Sequence, residues 1–387
     1  MGKHGRYVLA ALVVLGLVLV LPGLAGAAKG GINKPWLGAQ IYFDKNLSIG
    51  GNQSCASCHW PTAGFSEPDT QYPVSEGSID GLFGGRSSPS AAYAAFSPLP
   101  FFDAKAGTWV GGQFWDGRAP DLVAQAKGPF LNPVEMAMPD EESVVNAVAD
   151  SYYANDFRAV FGPSALSTVT VVDTTASYHN IAVAIAAFES TGYFNRFSSD
   201  FDVLGPNKLT AQQQEGYKLF TGKAMCDLCH PAKKGPYAAE PLFTDFSYDN
   251  LGIPVNEEVH TLTGDHSVDR GLGAALVPPD PMHDGKFQVP TLRNVALSPP
   301  YGHNGYFATL YDIVHFYNTR DVPGSAPGGG DWDPPEVTAN VNTAELGDLG
   351  LTSAEELAIV AFLESLTDTP PPVPPMKRPV GVPAPTP

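Results

Sequence analysis

The 387-residue chain holds 40 acidic against 22 basic side chains, a formal net charge of −18. A surface of that sign repels nucleic acid and anionic membrane, which sets both aside as partners; it serves solubility and equally the docking of a basic protein. With 37 prolines and 40 glycines much of the chain must be loop, and its length suffices for two domains.

Residues 1–27 read as a secretory signal peptide. Lys3 and Arg6 give a basic start, Val8 to Leu21 an apolar run, and Ala25-Gly26-Ala27 a small-residue cleavage end. The rival is an uncleaved anchor, because the run is almost long enough to span a bilayer. No later stretch is both long and apolar enough. The mature chain is therefore expected to be soluble and periplasmic, with no membrane contact beyond the signal peptide.

Trp36 to Phe43 reads as a short helix leading into Cys55-Ala56-Ser57-Cys58-His59. Gly216-Tyr217-Lys218-Leu219-Phe220 leads in the same way into Cys226-Asp227-Leu228-Cys229-His230, after a capping-box start at Thr210 and Gln213. The two stretches form a weak internal repeat, one domain per copy. C-x-x-C-H is the attachment signature of c-type haem: the thiols add to the two porphyrin vinyls and the histidine is the proximal iron ligand. The motifs use all four cysteines of the chain, which disfavours a redox-active pair or half a zinc site. Two covalently bound haem c groups are expected, on Cys55, Cys58 and His59 and on Cys226, Cys229 and His230.

Between the motifs, Ser177 to Phe188 reads as a buried helix, and Asn195 to Leu209 as the passage between domains. A late helix starts at a Thr352–Glu355 capping box, with Leu357, Val360, Phe362, Leu363 and Leu366 on its apolar face. Strand signals are sparse. The fold class is mainly α, two cytochrome c-type haem domains with long loops: residues 28–200, then 201–368, followed by a proline-rich tail at 369–387 expected to be extended and disordered.

An ordered set of segments resembles the bacterial di-haem cytochrome c peroxidase and MauG family. It comprises Phe114-Trp115-Asp116-Gly117-Arg118-Ala119, then Asp121-Leu122, Gln125-Ala126, Gly128-Pro129 and Asn132-Pro133-Val134-Glu135-Met136. Phe287 to Val295 and Pro300-Tyr301-Gly302-His303-Asn304-Gly305 complete it. The resemblance runs from about Leu37 to Leu366 and implies a peroxide-reacting N-terminal haem, an electron-receiving C-terminal haem and Trp115 between them. It also implies a distal pocket of Gln125, Pro129 and Glu135. Cleaving an O–O bond needs a proton moved between its oxygens, which a carboxylate can do as base and then acid.

The sequence departs from the family pattern in three places. No His or Met lies between His59 and Trp115, so the distal histidine that gates many of these peroxidases is missing and an open N-terminal iron is expected, as in MauG. Gly302 stands where many have a ligating methionine. Met282, His303, Tyr306 and Tyr317 are the candidate substitutes for the sixth ligand of the C-terminal haem, Met282 foremost because it sits just upstream of the motif. Ser87 replaces the asparagine that helps bind an inter-domain Ca²⁺ in the family; a hydroxyl is the poorer ligand, but backbone carbonyls can compensate, so one Ca²⁺ stays open as a cofactor beside the two haems.

The leading expectation is a periplasmic enzyme reducing hydrogen peroxide to water, with a small c-type cytochrome or a cupredoxin as donor. The second is a MauG-like oxidase acting on Trp or Tyr of a partner protein. The third is a di-haem electron carrier. The resemblance leaves a homodimer open.

Overall fold

The same pair of crossing helices is built twice along the chain. The computed structural model describes residues 33–373, so the expected signal peptide and most of the proline-rich tail lie outside the described residues. In the first half come α1 (Lys34–Tyr42), α2 (Cys55–Cys58), a hairpin of β1 (Phe101–Asp103) and β2 (Thr108–Val110), α3 (Leu122–Leu131), α4 (Glu141–Ala149), α5 (Ala154–Phe161) and α6 (Val171–Glu189). The second half holds α7 (Asp200–Leu204), α8 (Ala211–Phe220), β3 (Tyr248–Asp249), α9 (Glu257–Thr263), α10 (Leu272–Ala275), β4 (Phe287–Gln288), α11 (Leu310–Thr319) and α12 (Ser353–Glu364). β1 pairs with β2 and β3 with β4, both antiparallel. This is the mainly helical, loop-rich fold expected of a di-haem cytochrome.

Asn33 starts α1 by accepting from the Trp36 N–H at 3.0 Å. The helix then lies across α6, with Leu37, Ile41, Tyr42, Ile181, Ala184 and Ile185 all at or below 1% exposure. Burying each large aliphatic or aromatic side chain there contributes about 1.5–3 kcal/mol. The approach is closest at Gly38, where a Cβ would stand 2.0 Å from the Ala184 carbonyl oxygen. α8 lies across α12 in the same way, and a Cβ on Gly216 would stand 1.9 Å from the Ala358 oxygen. The repeated glycine before each C-x-x-C-H motif is thus a backbone crossing point, which only a residue without a side chain permits.

Both sequence-predicted capping boxes are present, Thr210 with Gln213 and Thr352 with Glu355. Other features differ from the sequence reading. α6 starts at Val171, ahead of Ser177, because Thr170 caps it; Val171 and Val172 are 83% and 78% exposed, so no apolar periodicity marks that first turn. On α12 the expected apolar position Leu357 is 49% exposed, while Glu356 is 1% exposed. Glu356 is satisfied there by Tyr311 Oη at 2.7 Å, Asn318 Nδ2 at 2.6 Å and His315 Nδ1 at 2.8 Å.

The passage from Asn195 to Leu209 is more than loop. Asp202 of α7 takes both guanidinium nitrogens of the fully buried Arg293, at 2.8 and 2.9 Å. The proline-rich tail is packed where it begins: Tyr193 Oη donates to the Pro372 carbonyl at 3.1 Å, and Asp368 accepts from Tyr93 Oη at 2.6 Å and from the Ser198 N–H at 2.7 Å. No helix among the described residues is long and apolar enough to cross a membrane.

Candidate active site

α2 places Cys55 and Cys58 one turn apart, and the His59 N–H closes that turn onto the Cys55 carbonyl at 2.9 Å. Cys226–Leu228 forms the matching 3₁₀ turn, closed by the His230 N–H on the Cys226 carbonyl, also at 2.9 Å. All four cysteines are unpaired. His59 Nδ1 lies 3.2 Å from the Phe65 carbonyl and His230 Nδ1 lies 2.8 Å from the Phe243 carbonyl. With Nδ1–H donated to a carbonyl, each Nε2 is left as a lone-pair donor oriented by its backbone partner. Burial lowers the pKa of both imidazoles against those hydrogen bonds, which keeps them in the neutral form that ligates a metal.

Beside the second motif is a cavity of about 280 Å³ lined by Cys226, Cys229, His230, Trp115, Gly302 and Tyr317. At the second motif the thiol pair on one turn, the neutral oriented imidazole and the apolar cavity fit a thioether-bound porphyrin, and the first motif repeats the turn and the imidazole. They do not fit a tetrahedral ion, which would leave the cavity unfilled.

The loop after α3 carries Glu135. Asn132 Nδ2 donates to Glu135 Oε1 at 2.6 Å. The loop is pinned from both sides, by the Ile49 N–H on the Met136 carbonyl at 2.9 Å and the Ser78 N–H on the Glu135 carbonyl at 2.6 Å. Burial pushes the Glu135 carboxyl above the ordinary carboxylate range, against the opposing pull of the Asn132 amide and the Arg118 charge. Its charge is felt at both Cys55 and Cys58, so the fold brings this acid to the first motif. Gln125 and Pro129 lie on α3, which leads into the loop, and the Pro129 carbonyl accepts from the Met136 N–H at 3.1 Å.

Trp115 is held from both halves of the chain. Its indole N–H donates to the Ser87 carbonyl at 2.8 Å, and its own carbonyl accepts from the Gln288 N–H at 2.8 Å. Next to it, Arg86 binds Asp116 at 2.7 Å and Asp269 at 2.6 Å, which ties the two halves together.

The candidate sixth ligands separate clearly. Met282 is 75% exposed on a surface 3₁₀ turn and is absent from the cavity wall, so the expectation placed on it is corrected. Tyr306 is engaged elsewhere, its hydroxyl donating to Asp333 at 3.0 Å. His303 lines the cavity, but its ring is stacked 3.6 Å from Phe287 and its Nε2 is buried without a hydrogen bond, 3.9 Å from Glu336. Tyr317 lines the same cavity beside Cys226 and Cys229, and its hydroxyl makes no hydrogen bond among the described residues. At Ser87, no group of three His, Cys, Asp or Glu ligand atoms converges among the described residues. The nearby Asp116 and Asp269 are held by Arg86.

Residues 33–208 match the family described as di-haem cytochrome c peroxidase. The chain is 41% identical over 347 residues to the methylamine utilization protein MauG of Paracoccus denitrificans, covering 86% of this chain and 88% of that protein. It is 31% identical to the cytochrome c551 peroxidase of Nitrosomonas europaea, over 72% and 70% of the two chains. Among solved structures it resembles the diheme peroxidase BthA of Burkholderia thailandensis, with a TM-score of 0.77, 29% identity and coverage of 87% and 86%.

Proposed function

The chain belongs to the di-haem cytochrome c peroxidase family that includes MauG, and from that premise we propose that it is a periplasmic, peroxide-consuming oxidoreductase. Haem c bound through Cys55 and Cys58, and through Cys226 and Cys229, supplies the redox-active iron at each motif. His59 and His230 are the proximal ligands, each oriented by its carbonyl partner. Residues 28–200 form the peroxide-reacting domain and 201–368 the domain that receives electrons.

One observation carries the reading: a half-buried carboxyl of raised pKa, Glu135, lies within electrostatic reach of the first motif on a loop fixed at both ends. Hydrogen peroxide takes up two electrons and two protons and leaves as two waters. Glu135 accepts the peroxide proton as a base and returns it to the departing oxygen as an acid. Asn132 keeps the carboxylate aimed, while Gln125 and Pro129 shape the pocket. Trp115, gripped by both halves, holds the path along which electrons pass from the His230 side. Tyr317 is the residue best suited to close the second iron, having a free hydroxyl in the cavity that holds His230. The donor is a small c-type cytochrome or a cupredoxin.

A second reading is favoured by the 41% identity to MauG and by the absence of His and Met between His59 and Trp115. In it the electrons come from a Trp or Tyr side chain of a docked partner protein.

Stopped-flow addition of peroxide to the fully ferric protein tests the core of the proposal. A rapid spectral change without prior reduction is expected. Inertness until one electron has been added would refute an open iron at His59, and inertness in every redox state would leave a di-haem electron carrier. Turnover with reduced cytochrome or cupredoxin, against mass spectrometry of a candidate partner protein, separates the two electron sources.

A further inference from the structure

Away from both motifs, three potential metal ligands meet on α9 and the strap that follows it. Glu257, His260 and His266 each offer one ligand atom, and these atoms lie within 4.8 Å of one another. Glu257 Oε2 is 3.7 Å from His260 Nδ1, and the two imidazole rings stand 5.0 Å apart, edge to face at 65°. Three donors at such separations close on one ion of 2.0–2.2 Å bond length with only small side-chain rotations.

The scaffold beneath them is built rather than loose. Glu257 and His260 share a face of α9 by their i, i+3 spacing. Asn256 caps that helix at Glu258 and ties it to the Asn304 carbonyl at 3.0 Å. Val259 is 5% exposed and packs with Val74 and Phe83 of the first half. Gly264, at φ +67°, ends the helix in the left-handed conformation. The chain then turns through Asp265, whose N–H donates to Thr263 Oγ1 at 3.1 Å and whose Oδ1 accepts from the Ser267 N–H at 2.9 Å. That turn carries His266 back over the helix. Three residues later the strap reaches Asp269, the partner of Arg86 beside Trp115.

We propose that Glu257, His260 and His266 form a binding site for a borderline divalent transition-metal ion of the zinc or copper class, which clasps α9 to the strap leading into Asp269. Two imidazoles and a carboxylate suit such ions and not magnesium, which takes oxygen ligands in an octahedron. The Glu257 side chain is exposed, so water completes the coordination and the ion enters from solvent.

The test is titration of the di-haem holoprotein with ZnCl₂ by calorimetry, with MgCl₂ alongside, and with CuCl₂ followed by EPR. One equivalent of zinc should bind, magnesium should not, and the copper signal should carry superhyperfine structure from two nitrogens. His260→Ala or His266→Ala should each weaken zinc binding about 100-fold, and Glu257→Gln about 10-fold, with haem spectra unchanged. Zinc should also raise the melting temperature of the wild type and not of the double histidine variant. Absence of saturable zinc binding to the wild type, or equal binding by the His260→Ala/His266→Ala variant, overturns the proposal.

Discussion

Asn132 donates from its side-chain amide to Oε1 of Glu135 across 2.6 Å, inside a turn that the Glu135 N–H closes onto the Asn132 carbonyl at 3.0 Å. The two residues lock each other, so the carboxylate is aimed before any substrate arrives. Glu135→Gln keeps size and the capacity to bond Asn132 but cannot exchange a proton. It should slow the reaction with peroxide by about 100- to 10,000-fold, the usual worth of a positioned acid–base group. Both haem absorption spectra should stay as in the wild type. Undiminished peroxide reactivity in this variant would remove Glu135 from the chemistry.

Protonation of the same group sets a pH limit. Burial raises the Glu135 pKa above the ordinary carboxylate value of about 4.5. The base form is the deprotonated one, so the rate constant for peroxide should be full at high pH and fall as pH drops through that raised pKa. The midpoint in stopped-flow profiles should lie above the ordinary carboxylate range and should rise further in Asn132→Ala, which loses a bond that favours the charged form. A midpoint at or below the range of an exposed glutamate would contradict the buried setting.

What could be read from the chain is what local spacing determines. The C-x-x-C-H turns and the capping boxes at Thr210 and Thr352 each depend on residues within four positions of one another, and each is in place. Relationships set by packing were not readable. Met282 ranks first among Met282, His303, Tyr306 and Tyr317 on its position along the chain, but only packing decides which side chain faces the cavity. Leu357 turns outward and Glu356 inward since a polar cluster of Tyr311, His315 and Asn318 waits under α12. A signal was present for the Glu257, His260 and His266 cluster, in two histidines six residues apart, but the turn at Gly264 that joins them is a tertiary fact.

The helix crossings give a stability prediction that does not depend on chemistry. Alanine at Gly216 would drive its Cβ against the Ala358 carbonyl, a backbone atom that cannot rotate aside. Gly216→Ala should destabilise by about 3 kcal/mol, at the upper end of overpacking costs, and Gly38→Ala comparably. Gly192→Ala, with nothing within 4 Å of its added methyl, is the control and should change little. Denaturant midpoints of the three holoproteins check this; equal midpoints would mean that α8 and α12 part freely.

Arg86 makes a prediction about the joint between halves. Its guanidinium serves Asp116 and Asp269 together, and its side chain is 22% exposed. Arg86→Met strands Asp269 and leaves Asp116 to Arg118 alone, at 2.9 Å, and should cost about 2 kcal/mol or more. Asp269→Asn in the same chain should recover part of that loss, a coupling of about 0.5–3 kcal/mol in a double-mutant cycle. Because Asp116 adjoins Trp115, electron transfer between the sites should slow in Arg86→Met while each haem spectrum stays intact.

Tyr317 offers the sharpest spectroscopic prediction. Its hydroxyl makes no hydrogen bond among the described residues and opens onto the cavity beside Cys226 and Cys229. Ligation of the second iron would supply the missing partner. Tyr317→Phe should therefore alter the spectrum of the His230 haem alone. Tyr317→Met should raise its reduction potential, since a thioether favours the reduced iron more than a phenolate does. If Tyr317→Phe leaves that haem unchanged, the ligand is another group. His303, whose Nε2 is buried on the cavity wall without a hydrogen bond, then becomes the residue to substitute next.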